Sequence, residues 1–420
     1  MKTHFPEKPL LLSPAGEWAS LSAAIGAGAD AVYFGVGTLN MRSHATVNFT
    51  ETDLPQVVAR CHAAGVKAWL TANIIVYDTE LFAMQELMDL AASAGVDAII
   101  AADPAVLLMA RKRNLPVHLS VQANVCNIEA LRFYIPYIDV AVVARELTLP
   151  QIRELADAIR RENLRGPSGE LLRLEAFAHG ALCIGISGRC GMSLCEYNTS
   201  SNRGRCYQPC RRAYIVRDAE TDAELKLDNQ YIMSPSDLCT IGRLGELVDA
   251  GIGVLKLEGR GRSADYVATV TRCYREALDM HLRGEVPTAE RLAAWKTALA
   301  GVFNRGFWEG GYYFGEPTGS WACAQDSQAT RRKEFVGVVE DYYARSAIAQ
   351  IRLQAGCLAV GAQVLVTGPT TGAVEMAVTE LRADEAPAQT ATAGQTATFP
   401  CAAKVRRGDK VYVFHPRNPA

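Results

Sequence analysis

The sequence predicts an α/β chain: a TIM-type (β/α)8 barrel, closed or nearly so and carrying a Cys-rich insertion, followed by a small C-terminal antiparallel β-barrel. Three observations predict it. Short β-rich runs alternate with amphipathic helical stretches from Leu10 to about Gly261. Eight such runs fit into a stretch the size of a (β/α)8 unit. From Glu334 onward the rhythm changes to alternating strands separated by Gly and Thr turns. An open doubly wound sheet is the other reading of the same βα alternation.

The eight runs are LLLSPAG from Leu10, ADAVYFG from Ala29, KAWLTANI from Lys67, DAIIAAD from Asp97, VHLSVQAN from Val117, DVAVVAREL from Asp139, LEAFAHG from Leu174 and VLKLEGRG from Val254. Helices are expected over 18–28, 53–65, 79–95, 104–114, 129–137, 149–162 and 237–251, several ending in Gly as a C-cap should. The link between the seventh and eighth runs is far longer than a βα loop needs to be. Three regions follow: residues 1–283 as barrel with the insertion at 181–235, residues 284–333 as a helical and aromatic, Gly-rich connection, and residues 334–420 as the β-rich tail. Within these, TRRK at Thr330–Lys333 reads as a basic linker, six strands are expected in the tail, and Ala383–Thr396 reads as a mobile loop.

Composition narrows the function classes. Charge nearly balances, with 43 Lys and Arg against 45 Asp and Glu, so a nucleic-acid partner must be met by local patches. With 49% hydrophobic residues the chain reads as globular. There is no apolar run of membrane-spanning length and no signal-peptide hydrophobic region after MKTHFPEKP, so the expected location is cytoplasmic, with no membrane partner. In a reducing compartment, clustered cysteines read as metal ligands or redox groups.

In a barrel of this kind, chemistry sits where the strands end. The strand ends here supply Ser13, Tyr33, Asn73, Asp103, Ser120, Gln122, Arg145, Glu146, His179, Lys256, Glu258 and Arg260. His179, Arg145, Glu146 and Glu258 are the candidates for catalysis. Tyr33, Arg42, Asn73, Gln122, Lys256 and Arg260 are candidates for substrate contact, the cations among them able to hold an anion. Asp103 before Pro104 reads as a helix cap, and ion pairing among the charged strand ends is the alternative for the rest. No nucleophile elbow, zinc-binding helix, P-loop or dinucleotide fingerprint is present.

The insertion concentrates the remaining chemistry. Cys183, Cys190, Cys206 and Cys210 fall as C-x6-C-x15-C-x3-C, among Arg189, Arg203, Arg205, Arg211 and Arg212. Four thiolates suit a zinc site or an iron–sulfur cluster, and spacing this loose favours the cluster over tight zinc knuckles. Zinc and incidental thiols remain the alternatives. Cys195 and Cys239 are reserve ligands, and Cys61, Cys126, Cys273, Cys323, Cys357 and Cys401 are expected to pack.

EAFAHGALCIGISGRCGMS closely resembles the signature of the U32 family, long called collagenase-like peptidases. LLSPAG, GADAVYFG, HLSVQAN, ARELTL, NRGRCYQPCR, YIMSPSDLC, LKLEGRGRSADYV and NRGFWEGGYY extend the resemblance over residues 9–317. It implies a [4Fe–4S] cluster on Cys183, Cys190, Cys206 and Cys210, with Cys239 able to replace one of the close pair, and oxygen-independent hydroxylation. The branch resembled most, the tRNA hydroxylation proteins, implies formation of 5-hydroxyuridine at the tRNA wobble position with prephenate as hydroxyl donor. Siblings imply a 23S ribosomal RNA cytidine or ubiquinone synthesis, and the family's name implies a peptidase. For an RNA, the insertion arginines and Lys404, Arg406, Arg407 and Lys410 would meet phosphates.

Overall fold

The computed structural model describes residues 8–43, 47–217, 219–221, 224–225, 233–310, 312–315, 321–322 and 327–417. Seven parallel strands come first: β1 (Leu10–Pro14), β2 (Ala31–Gly35), β3 (Lys67–Thr71), β4 (Ala98–Ala101), β5 (Val117–Leu119), β6 (Val140–Val142) and β7 (Arg173–Gly180). A hairpin of β8 (Val216–Arg217) and β9 (Glu224–Leu225) and the short β10 (Asp237–Cys239) precede β11 (Ile252–Leu257). Because β11 pairs in parallel with both β1 and β7, eight strands close a barrel. They are the eight runs read from the sequence, and the open sheet is excluded.

Period-two alternation sorts their side chains into two layers. Leu12, Ala31, Tyr33, Trp69, Ala98, Ile100, Val140 and Val254 fill the lumen. Their neighbours Leu11, Val32, Phe34, Leu70, Ile99, Ala141 and Leu255 face outward into the larger core under the helices. A one-residue slip in any strand would exchange the two layers, so the register is strongly specified. The helices are α1 (Trp18–Gly26), α2 (Leu54–Ala63), α3 (Leu81–Ala94), α4 (Pro104–Lys112), α5 (Ile128–Tyr134), α6 (Leu149–Glu162), α7 (Met192–Tyr197), α8 (Leu244–Asp249), α9 (Ala264–Leu282) and α10 (Ala289–Ala300). As expected, Asp103 caps α4, accepting from the Ala105 amide at 2.9 Å. Asn163, at φ 51°, closes α6 in the left-handed region.

Three expectations need correction. Residues 237–251 are not one helix: β10 extends the end of β7 antiparallel, pairing Leu238 with Gly180, and α8 starts only at Leu244. β10 in turn holds β12 (Phe307–Trp308), so the aromatic segment after α10 is stitched to the barrel rim. TRRK is no linker: Arg331–Tyr343 is one long strand, with Arg331 paired to Glu375 and Lys333 to Asp265 of α9. The stretch 383–396 is not a bare loop but carries Ala386–Pro387 and Thr390–Thr392 as short strands, with Ala391 fully buried.

The tail forms an eight-stranded antiparallel sheet and a separate two-stranded one, ten strands where six are expected, around its own core of Val339, Ile351, Val366, Phe399 and Val411. It rests on the outside of the barrel: the Pro369 carbonyl accepts from Ser22 Oγ of α1 at 2.7 Å and from Arg60 Nη1 at 2.6 Å. Among the described residues no helix is long and apolar enough to cross a membrane.

Candidate active site

The strand ends and the cysteine insertion enclose one cleft, about 1020 Å³ counted out to its open mouth. Alternation explains which side chains reach it. Val254 sits in the lumen, so Lys256 and Glu258 point the same way, one and two steps nearer the rim. The same logic brings Glu175 and Phe177 inward from β7, Tyr33 from β2, and Thr71 and then Asn73 from β3. Gln122 and Arg145 follow β5 and β6. The insertion forms the opposite wall with Cys183, Cys190, Cys206, Cys210, Ile184 and Met192.

The rim wall is an internally paired electrostatic network. Lys256 Nζ lies 2.8 Å from Glu175 Oε1, both residues buried, and 4.7 Å from the centre of the Tyr33 ring. His118 Nδ1 stands 3.8 Å from the other Glu175 oxygen, within ion-pair range but too far for a hydrogen bond. Burial alone would raise the Glu175 pKa; Lys256 and His118 outweigh it and hold the carboxyl below its ordinary value. Burial lowers the His118 pKa, opposed by Glu175. Glu258 accepts from Arg42 Nη2 at 2.7 Å and from the Tyr33 hydroxyl at 3.1 Å. Against a burial penalty that pushes upward, Arg42, Arg260 and Arg145 hold the Glu258 pKa at about 2, so it is a carboxylate at any working pH.

Arg260 is placed by a glycine. Its Nη1 donates to Thr71 Oγ1 at 2.8 Å and to Asn40 Oδ1 at 3.2 Å, directly over Gly35, where a Cβ would lie 2.6 Å from that nitrogen. Arg145 is the exception in this wall. Its guanidinium stacks 4.3 Å from the Phe177 ring centre, and its buried Nε and Nη1 have no partner among the described residues.

The insertion wall is built differently. All four thiols are free and line the cleft. Backbone amides approach two of them: Gly185 N to Cys183 Sγ and Met192 N to Cys190 Sγ, each at 3.4 Å. Burial pushes the Cys210 thiol up to about 11, opposed by Arg211 and reinforced by the other three sulfurs. Among the described residues, however, no three His, Cys, Asp or Glu side chains are drawn together tightly enough to hold one metal ion. Four cysteine thiols lining one cavity are a donor set that a four-thiolate zinc or an iron–sulfur cluster would take. The loop is pinned around them. Ser201 Oγ donates to the Cys190 carbonyl at 2.6 Å, and Arg211 to the Leu182 and Pro235 carbonyls at 2.5 Å. Gly204, at φ +81°, lies so close to the turn carrying Arg42 that a Cβ would sit 2.3 Å from Ser43 Oγ.

Of the fourteen candidates read from the sequence, the cleft brings together Tyr33, Arg42, Asn73, Gln122, Arg145, Lys256, Glu258, Arg260 and the four cysteines. Two lie elsewhere. His179 points away: a β-bulge between the Phe177 and His179 pairings reverses the alternation at the end of β7 and turns the ring outward. There Nδ1 meets the Tyr274 hydroxyl at 3.2 Å among the rings of Tyr266 and Phe307, and burial lowers the pKa to about 3. Glu146 is exposed and tethers the loop, accepting from the Ser187 amide at 3.3 Å. Ser13 is buried against Thr271 rather than on the rim. Of the reserve ligands, Cys195 is exposed outside the cleft and Cys239 is buried in β10, 4.0 Å from the Tyr274 hydroxyl. Cys61, Cys273 and Cys401 pack as expected, whereas Cys126 and Cys357 are exposed; Cys323 falls outside the described residues. Three insertion arginines are structural: Arg203 pairs with Glu80, Arg212 with Glu196, and Arg211 is buried. Arg189 and Arg205 are exposed.

Sequence reasoning missed Glu175 and Phe177, although the alternation in LEAFAHG places both on the face of the barrel interior. It also missed Arg262 and Arg305, which lie beside the cysteine loop through folding alone.

Comparison with known proteins agrees with this architecture. A protein named collagenase from Porphyromonas gingivalis is 45% identical over 407 residues, covering 97% of this chain and 98% of its own. A tRNA hydroxylation protein from Helicobacter pylori is 33% identical over 311 residues, 71% of this chain and 70% of its own. A 23S rRNA 5-hydroxycytidine synthase from Escherichia coli is 34% identical over 286 residues, 66% of this chain and 41% of its own. The family model described as peptidase family U32 matches residues 16–322. The chain belongs to peptidase family U32.

Proposed function

We propose that the protein is an RNA hydroxylase that installs a hydroxyl group on C5 of the wobble uridine of tRNA without using oxygen. In this reading Cys183, Cys190, Cys206 and Cys210 hold a [4Fe–4S] cluster, and prephenate is the hydroxyl donor. The observation that carries the reading is the shared cleft: four free thiols face aromatic rings, amides and an unpartnered guanidinium across one cavity. Relatives named for tRNA hydroxylation and for 5-hydroxycytidine synthesis support it. When bound, an all-cysteine cluster supplies one-electron redox chemistry at the cavity wall.

The chain's own residues have separate tasks. Tyr33 and Phe177 give the cleft an aromatic lining for a base extruded from its stack, each with a cation, Lys256 or Arg145, already over one ring face. The Gln122 and Asn73 amides present a donor and an acceptor each, the complement of a pyrimidine edge. Arg145 offers its free fork to a carboxylate, and Glu258, held ionised, fixes Arg42 rather than delivering a proton. Exposed Arg189, Arg205, Lys404, Arg407 and Lys410, with partly buried Arg406, are available to RNA phosphates.

A peptidase is the second reading, favoured by the collagenase name of the relative that matches 97% of this chain. Against it, among the described residues no histidine lines the cleft, so its serines and cysteines have no imidazole base beside them. Nucleoside analysis of tRNA from a deletion strain tests the proposal. We expect loss of 5-hydroxyuridine, restored by the wild-type gene and not by Cys183→Ala. Unchanged tRNA with a missing 5-hydroxycytidine in 23S rRNA would move the substrate to the ribosome. Gelatin hydrolysis by the purified protein, with both RNAs unchanged, would establish the peptidase.

A further inference from the structure

A second cavity, about 920 Å³ counted to its mouth, adjoins the aromatic cleft at the thiols. It shares Cys183, Cys206 and Cys210, and also Arg42, Arg145 and Glu258, with that cleft, and is bounded further by the turn Gly259–Arg262 and by Arg305. Its chemistry is the reverse of the first cavity's. Arg42, Arg145, Arg211, Arg262 and Arg305 line it, and Glu258 is the one carboxylate among its lining residues.

The pairing of these charges leaves cations over. Glu258 is taken by Arg42, and Arg211 spends its donors on backbone carbonyls and Ser234. Arg262 stacks 3.4 Å from the Phe303 ring centre and has no carboxylate partner among the described residues. Arg305 is only 8% exposed; its Nε has no hydrogen-bond partner among the described residues, and its nearest carboxylate oxygen, on Asp237, is 3.8 Å away. Arg145 adds two further unpartnered nitrogens. Among the described residues, buried Asp237, 3.8 Å from Arg305, is the one carboxylate near them besides Glu258, which Arg42 already takes, and guanidiniums withdrawn from water in excess of counter-charge are costly unless an anion completes them. Their planar forks match an oxyanion in two-point geometry.

We propose that this arginine-lined cavity is a binding site for a small oxyanion, carboxylate or phosphate, held by Arg145, Arg262 and Arg305 beside the thiols. For prephenate the proposal rests on the hydroxylase reading, in which that anion is the hydroxyl donor, whereas phosphate binding tests the site by itself.

The test is calorimetry on the anaerobically purified full chain, with prephenate, inorganic phosphate and a tRNA anticodon stem-loop as probes. Two variants are compared with wild type: Arg262→Gln, and the double change Asp237→Asn with Arg305→Gln, which removes both members of the buried pair together. We expect both variants to bind prephenate or phosphate about tenfold or more weakly, with stem-loop affinity unchanged. Weakened stem-loop binding with a reduced salt slope, and free anions unaffected, would identify the oxyanion as an RNA phosphate. Failure of the wild-type protein to bind either free anion, with a stem-loop affinity that neither variant alters, would overturn the site. Should a variant fold poorly, the wild-type titrations and the rise in wild-type melting temperature with prephenate or phosphate decide on their own.

Discussion

The two walls of the thiol cleft are held in opposite ways. On the rim wall nearly every polar group already has its partner within the chain: Lys256 with Glu175, Arg42 with Glu258, Arg260 with Thr71 and Asn40. On the insertion wall the functional atoms have almost none; each of two sulfurs receives one amide, and Cys183 is exposed. Preorganised donors and charges suit positioning of a substrate. Open thiols on a pinned loop suit a ligand that the chain itself does not supply. The rim is therefore part of the fold's stability, and the insertion wall is not.

That contrast can be broken experimentally. The largest effect belongs to Lys256→Met, which strands the Glu175 carboxylate in the lumen. Urea unfolding is expected to show a loss of about 3–5 kcal/mol, largely recovered by adding Glu175→Gln. Next comes Gly35→Ala, whose methyl group must displace the Arg260 guanidinium. Overpacking of this kind costs about 1–3 kcal/mol, and substrate affinity should fall with it, whereas a Gly26→Ala control, at a position open around its Cβ, should not lose affinity. His179 tests the boundary between the layers. Its folded pKa is depressed to about 3, so its contribution is fully present above the ordinary histidine value and is lost as pH falls from there toward 3, because the unfolded chain takes up the proton first. The stability–pH slope in that window should therefore drop by about 1.4 kcal/mol per pH unit in His179→Phe, with substrate affinity retained. The smallest effect on the fold is expected for Cys183→Ala: stability of the metal-free protein within about 0.5 kcal/mol of wild type, yet complete loss of activity.

The barrel was legible because its signal is local. Each strand carries its own alternation, and Val254, Lys256 and Glu258 announce a shared face without reference to the rest of the chain. The cysteine loop was legible as an insertion on the rim because its length exceeds what a crossover needs. His179 was misplaced because alternation carried through LEAFAHG puts it inward, and the bulge that turns it outward arises from the pairing with β11. Glu146 was misassigned for a similar reason: its partner is Ser187, forty-one residues away. Asp237–Cys239 looks like a helix start after two serines, and only the open edge of β7 makes it a strand. Arg262 and Arg305 carry no local mark of function, since what distinguishes them is the carboxylate each lacks at close range.

The most direct test of the central claim is the metal content of the anaerobically purified protein, read with its visible absorption and electron paramagnetic resonance. About four iron and four sulfide per chain are expected for a [4Fe–4S] cluster, brown in colour, and lost when Cys183, Cys190, Cys206 or Cys210 is replaced by Ala. A colourless protein carrying one tightly held zinc per chain would contradict the account.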